Sequence, residues 1–354
     1  MDHWNDYLTE HLAGPRDPAG GDDTVPAPAC AAPLDAAQLA AGFVAVIDGL
    51  GLIGVDGDDA ASFLHNQLTN DVLHLGTGEA RLAGYCSPKG RLQASMLAWR
   101  SPETVFLLLP RELQASLQKR LSMFVMRAKA RLRDAGEGVV TLGVGGAGAE
   151  AALREVLGVL PGGPYGKNDS DAGTVIRVAD AFGAPRFLWL TTASAARAAI
   201  DGLRARLAFG GDQAWALSSI HAGVPLITVK TQDQFVPQMV NFELLGGVNF
   251  KKGCYPGQEI VARSQYLGKL KRRTALASIG AQAQAGDEVF ADSDPGQPCG
   301  MIVNAQPNGN GDGVDVLVEL KLAVLDGAAV HLGAPGGPVL RFLTMPYPLD
   351  AIEV

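Results

Sequence analysis

Helical periodicity runs along this chain as far as Leu270 and then stops. Beyond it, short runs such as Arg273–Ala277 and Val314–Val318 alternate with Gly, Asn and Pro turns, the pattern of short strands in a small β-barrel. A chain whose period switches once in this way is confined to an α+β body followed by an all-β module, because helical stripes and strand alternation present apolar residues to different neighbours. Its 354 residues exceed one average domain and can bury a large core without disulfide or metal support.

Ahead of the switch, Phe43–Ile47 and Leu50–Val55 read as two strands joined at Asp48-Gly49. Asp58 is placed to cap a helix carrying Phe63, Leu64 and Leu68, which ends in the turn chemistry of Thr69-Asn70-Asp71. Leu92–Trp99 and Thr104–Leu109 read as neighbouring strands. Pro110 suits the first position of an amphipathic helix in which Leu113, Leu117, Leu121 and Phe124 recur every three or four residues. From Val139 to Gly223 a second α+β portion follows: a strand, a helix over Ala149–Leu157, strands around Val175 and Leu188, and helices near Ala193 and Asp212. Gly143–Gly148 reads as a connector, since Rossmann spacing and an acidic ribose contact are not spelled out. The Ala, Gly and Pro tract between Ala13 and Pro33 cannot repay its ordering entropy. The expected segments are a flexible arm (1–40), a first α+β portion (41–137), a second (138–270) and a terminal β-barrel (271–354).

A formal charge of −8 argues against non-specific nucleic-acid binding. The acidic start Met-Asp-His-Trp-Asn-Asp-Tyr has neither a basic leader nor an apolar signal core, and no apolar stretch approaches the ~20 residues of a membrane span. A cytoplasmic protein is expected. Cys30, Cys86, Cys254 and Cys299 form no C-x-x-C pair, so they read as reduced thiols and no metal site is expected. His65 and His331 have no partner at metal-ligand spacing and read as structural.

Against that acidic background, the 23 residues from Lys251 to Arg273 hold seven basic side chains and one acid, Glu259. A local charge of +6 implies either an anionic ligand or a solvated helix face. At its front stands Lys252-Gly253-Cys254-Tyr255-Pro256-Gly257-Gln258-Glu259, followed by a helix containing Ile260, Val261 and Arg263. Cys254 just ahead of a helix N-terminus, behind two lysines, is placed to react as a thiolate. The alternative is a buried cysteine acting as a small hydrophobe.

The K-G-C-Y-P-G-Q-E run resembles the signature of the folate-binding YgfZ family, relatives of the glycine cleavage aminomethyltransferase (T-protein). Asn66–Val72, Gly223-Val224-Pro225, Phe235–Gln238, Leu245–Phe250 and Met345–Leu349 are similar to other segments of that family, so the resemblance extends from about Ala41 to the end. It implies an aminomethyltransferase-like folate-binding fold, with two α+β portions around a central channel and a C-terminal β-barrel. It also implies bound tetrahydrofolate and support of iron–sulfur cluster assembly or repair in client enzymes, including tRNA-modifying ones. Cys254 would be the working residue. Trp215, Lys252, Gly253, Tyr255, Gly257, Gln258, Glu259 and Arg263 would contact the folate, whose flat pterin and carboxylate tail suit aromatic, amide and basic groups. Direct nucleic-acid or membrane contact is not implied.

Three departures accompany the resemblance. Where aminomethyltransferases carry a catalytic carboxylate, this chain has Gln93, which cannot act as a base. His221 stands where relatives commonly have Glu, and Leu50 where some have a folate-facing Trp. A folate-dependent one-carbon transferase or demethylase, and a scaffold with a vestigial folate pocket, stay open as alternatives.

Overall fold

The computed structural model describes Trp4, Leu8 and residues 33–349 apart from 268, 269, 312 and 326. Most of the arm expected over 1–40 lies outside the described residues. Within it, Trp4 and Leu8 are buried in a core, and α1 (Ala36–Ala41) forms because Asp35 and Gln38 make a reciprocal capping box at 2.8 and 3.0 Å. Order therefore begins before Ala41.

The chain continues through β1 (Phe43–Val46), β2 (Leu50–Asp56), α2 (Ala60–His65), β3 (Ala80–Cys86), β4 (Leu92–Arg100), β5 (Thr104–Pro110), α3 (Arg111–Ser122) and β6 (Arg131–Asp134). Next come β7 (Val139–Gly145), α4 (Ala149–Leu157), β8 (Lys167–Ser170), β9 (Gly173–Ala181), β10 (Ala184–Thr192), α5 (Ala193–Arg204), β11 (Ala208–Gly210) and α6 (Asp212–His221). Last are α7 (Gln258–Tyr266), β12 (Arg272–Ile279), β13 (Glu288–Ala291), β14 (Gly300–Pro307), β15 (Val314–Lys321), β16 (Val330–Leu332) and β17 (Leu340–Leu343). Contacts divide the described residues into two discontinuous units. One holds those up to Asp48 and Gly136–Ser218; the other holds Gly49–Ala135 and those from Ser219 onward. The three consecutive segments 41–137, 138–270 and 271–354 stay a proposal about how the chain is built up.

The first unit is a sheet of order β11-β1-β7-β10-β9-β8. Its core is supplied by α4 through Ala152 and Leu153 and by α5 through Ala196, Ile200 and Leu203, packed with the strand residues Leu142, Val144 and Trp189. β1 pairs with β11 and β7, whereas β2 pairs with β5 and β6 in the other unit, so the two strands expected as neighbours are not a hairpin. The link between them is claimed by other partners: Ile47 donates to the Thr141 carbonyl at 2.9 Å and the Asp48 amide to the Asp212 carboxylate at 3.0 Å.

The second unit contains the sheet β3-β4-β5-β2-β6 and the sheet β16-β13-β14-β15-β12-β17. α3 covers the first with buried Leu113, Leu117 and Leu121, as its period demands, while Phe124 falls beyond the last turn and is exposed. Pro110 ends β5 rather than entering the helix. α2 is shorter than expected; it starts after Asp59, whose carboxylate accepts the Lys129 amide at 2.8 Å, and Leu68 pairs with Tyr85 in an isolated bridge. The C-terminal sheet is antiparallel and curls into a half-barrel, with β12 and β15 in register over eight pairs. A bridge between His331 and Val339 joins its end segments.

Two cations at the root of β12 are spent on this architecture. Arg272 pairs with Glu319 on β15, and buried Arg273 donates to the Gln238 carbonyl at 3.0 Å and pairs with buried Glu243. The +6 stretch is therefore not a continuous free cationic wall. Burial pushes the Glu243 carboxyl up despite the guanidinium beside it. Arg273→Gln should cost about 3–5 kcal/mol in urea unfolding, because it leaves Glu243 buried without a counter-charge. The loss should shrink as pH falls toward the ordinary glutamate range, where Glu243 takes up a proton and no longer needs one.

Candidate functional site

Motifs far apart in sequence meet in the second unit. Buried Thr69 donates its hydroxyl to the Gly247 carbonyl at 2.6 Å and accepts from the Gly84 amide at 2.8 Å. The Asn70 amide nitrogen bridges the Leu82 and Gly246 carbonyls at 2.6 and 2.7 Å, and the Asn249 amide donates to Thr69 at 3.0 Å. The L-T-N-D-V and L-G-G-V-N-F segments are thus one clamp, and it sets where the following K-G-C-Y loop begins. At the chain's end, the Tyr347 hydroxyl donates to the Gly223 carbonyl at 2.7 Å.

Lys252 does not project into solvent. Its ammonium donates to the carbonyls of His65 and Leu68, the latter at 3.0 Å, and lies 4.8 Å from the centre of the buried Tyr255 ring. Burial brings its pKa down to about 8, against the opposing pull of Asp71 and Cys254. Cys254, between these two anchored side chains, is exposed, whereas Cys86 is buried and pushed up to about 12 by desolvation. The buried-hydrophobe alternative therefore describes Cys86 and not Cys254.

Gly257 caps α7 at φ +78°, and a Cβ there would come within 2.4 Å of the Ser87 carbonyl and 2.6 Å of Gly90. A Cβ on Gly90, itself at φ +71°, would come within 2.8 Å of Ile260. This contact between two glycines sets the helix start against the β3–β4 turn, a place no side chain could occupy. Pro256 precedes that cap. Gln258 is half-buried; Gly253, Glu259 and Arg263 are exposed.

Sequence reasoning missed the carboxylate beneath the loop. His65 Nδ1 lies 3.0 Å from one oxygen of Asp71 and His74 Nδ1 2.9 Å from the other. Gly253 stands against the His65 ring, where a Cβ would meet Nε2 at 3.5 Å. Burial, reinforced by the Lys252 charge, holds the His65 pKa below its usual value. Among the described residues no group of three or more His, Cys, Asp or Glu is placed to hold a metal ion.

The residues at the three departures are also engaged. Gln93 donates to the Asp233 carboxylate at 2.9 Å, His221 Nε2 lies 2.7 Å from buried Asp315 on β15, and Leu50 opens β2 opposite Pro110. Trp215 belongs to the first unit and is 7% exposed. The Arg186 guanidinium sits 4.6 Å from its ring, and a Cβ on Gly143 would come within 2.3 Å of that ring. Burial lowers Arg186 to about 10. Tyr165, which interacts electrostatically with Arg186, keeps a buried hydroxyl with no hydrogen-bond partner among the described residues. The indole, the guanidinium and the phenol thus lie in one unit.

No protein-family model matches the chain. It is 32% identical over 228 residues to tRNA-modifying protein YgfZ of Enterobacter sp. (strain 638), an alignment covering 64% of this chain and 68% of that relative. The chain belongs to the YgfZ family. The YgfZ protein of Escherichia coli O7:K1 is 31% identical over 245 residues, covering 69% of this chain and 74% of its own, and that of Edwardsiella ictaluri is 36% identical over 226 residues, covering 62% and 66%. Among solved structures, glycine cleavage system aminomethyltransferase T from Bartonella henselae superposes with a TM-score of 0.71 at 18% identity, covering 88% of each chain. The fold is that of the aminomethyltransferases, as the YgfZ resemblance implies.

Because His65 is held below its usual pKa, the unfolded chain binds its proton first as pH drops. Stability contributed here is present above about pH 6.5 and is lost as pH falls toward the folded value. His65→Gln should flatten that part of the thermal-melting profile between about pH 7 and pH 5.

Proposed function

We propose that this YgfZ-family protein binds tetrahydrofolate and supports the assembly or repair of iron–sulfur clusters in client enzymes, tRNA-modifying enzymes among them, through Cys254. The observation that carries the reading is the display of Cys254: an exposed thiol between Lys252, tied to two carbonyls, and buried Tyr255. A flexible loop would not need a half-buried lysine to hold it. One cysteine cannot retain a cluster, which is usually held by four ligands, so Cys254 would contact a client's cluster only transiently.

Tetrahydrofolate, when bound, carries one-carbon groups. The residues that the family resemblance implies for it are Trp215, in the first unit, and Lys252, Gly253, Tyr255, Gly257, Gln258, Glu259 and Arg263, in the second. Their roles differ. Arg263 is exposed and suits a carboxylate tail, whereas Lys252, Tyr255 and Gly257 act by holding the loop. A cytoplasmic setting suits this work; no helix among the described residues is long and apolar enough to cross a membrane.

Cys254→Ala should fold normally, since the side chain is exposed, yet lower client iron–sulfur enzyme activity several-fold in cells lacking the native gene. Unchanged activities would remove Cys254 from the mechanism. Calorimetry should find tetrahydrofolate binding to the native protein and its loss in Trp215→Ala and Lys252→Ala, with circular dichroism verifying the fold.

A second reading, a folate-dependent one-carbon transferase, draws on Asp233. Its carboxylate is hydrogen-bonded to Gln93 at the position where aminomethyltransferases have their acid, so tertiary contact supplies an acid the local sequence lacks. Sustained formation of methylene-tetrahydrofolate from an aminomethyl or methylated amine donor would establish that reading; its absence keeps the accessory role.

A further inference from the structure

Beside the C-terminal half of α3, a cavity of about 300 Å³ opens within the second unit, apart from the Cys254 loop. No Asp or Glu lines it, while Lys119 and Arg120 do, and neither cation meets a carboxylate among the described residues. One wall is Tyr85, 2% exposed. Its phenol oxygen accepts from Arg120 Nε at 3.0 Å, and the guanidinium lies 5.7 Å from its ring centre. Since the oxygen is the acceptor there, the Tyr85 proton has no acceptor among the described residues and can be donated to a guest.

A second wall is made of amides whose orientation can be deduced. Asp233 sits at φ +60°, its backbone held by a 2.8 Å bond to the Leu92 carbonyl, and a carboxylate only accepts. Gln93 must therefore turn its amide nitrogen to Asp233 and its oxygen away. Gln232 likewise spends its nitrogen on the Gln93 carbonyl at 2.7 Å. The two amide oxygens accept no hydrogen bond among the described residues. Leu117 and Met123 complete an apolar strip.

We propose that this cavity is a binding site for a small organic anion, a carboxylate or phosphate ester that also carries a hydroxyl or amino donor. The cations and the Tyr85 hydroxyl recognise the anionic group, the glutamine oxygens accept from the donor, and the apolar strip takes a short carbon skeleton. The volume is at the lower edge of the range for small-molecule sites, about 300 to 1,000 Å³, which favours a metabolite over a peptide segment.

Calorimetric titration of the full chain with L-malate and with glycerol 3-phosphate tests this. Saturable binding of either is expected, malate alone indicating a carboxylate ligand and glycerol phosphate alone a phosphate ester. Lys119→Gln, a change at an exposed helix position, and Arg120→Gln should each weaken binding about tenfold, the effect of losing one charge-assisted bond. Tyr85→Phe should weaken it several-fold. Asp233→Asn, which frees Gln93 to flip, should weaken malate more than a probe lacking its hydroxyl, succinate. Arg341→Gln, on β17 and not among the lining residues, should change nothing. No saturable binding of either probe up to about 10 mM, or binding that Lys119→Gln and Tyr85→Phe leave unchanged, overturns the proposal.

Discussion

The Cys254 loop depends on a lysine ammonium taken half out of water. Lys252 gives its hydrogen bonds to the carbonyl of His65, the last residue of α2, and to that of Leu68 in the turn beyond it, so the segment before Cys254 is fastened to the close of a helix some 187 residues earlier in the chain. The His65 carbonyl belongs to the terminal groups that a helix leaves unsatisfied, and a cation near it is favoured by the helix dipole. The interaction serves both partners. It caps α2, and it sets Tyr255 inward and Cys254 outward on either side of a fixed point. The lowered lysine pKa records the cost of holding that charge under partial burial.

Around this anchor further contacts within the second unit hold the segments on either side of the loop. Thr69 and Asn70 hold the two glycines that lead into it, and the Gly90 and Gly257 backbones touch where any side chain would collide. Asp71, held between two imidazoles, keeps a negative charge near Lys252 without pairing with it directly. Residues that the sequence places in separate motifs are therefore one mechanical assembly, with backbone carbonyls as its joints. The aminomethyltransferase fold supplies the sheets; the loop's chemistry is local to it.

Much of the fold was legible because periodicity reports burial directly. Helix α4 over Ala149–Leu157, the α3 stripe of Leu113, Leu117 and Leu121, and the change to short strands after Leu270 all follow from apolar spacing. The separation of β1 from β2 was not legible, since both are buried strands joined by a short link and nothing local says that their partners lie in different sheets. The site was legible to the extent that it is one contiguous motif. His65 read as merely structural because its Asp71 neighbour is reached by the turn after α2, and the clustering of cations overstated the free charge because Arg272 and Arg273 find Glu319 and Glu243 far along the chain.

By itself, the sequence determined the class of the chain, the motif that identifies its family, and the presence of a cysteine behind a lysine. Those are properties of composition and short-range order, which survive in an unfolded chain. Only the tertiary structure decided that Cys254 is exposed while Cys86 is buried, that Lys252 points inward, and that Asp233 reaches Gln93. Each of these depends on which distant carbonyl or carboxylate closes on a given side chain. Hydrogen bonds and desolvation act over a few ångströms of space, and separation along the chain carries no information about that distance.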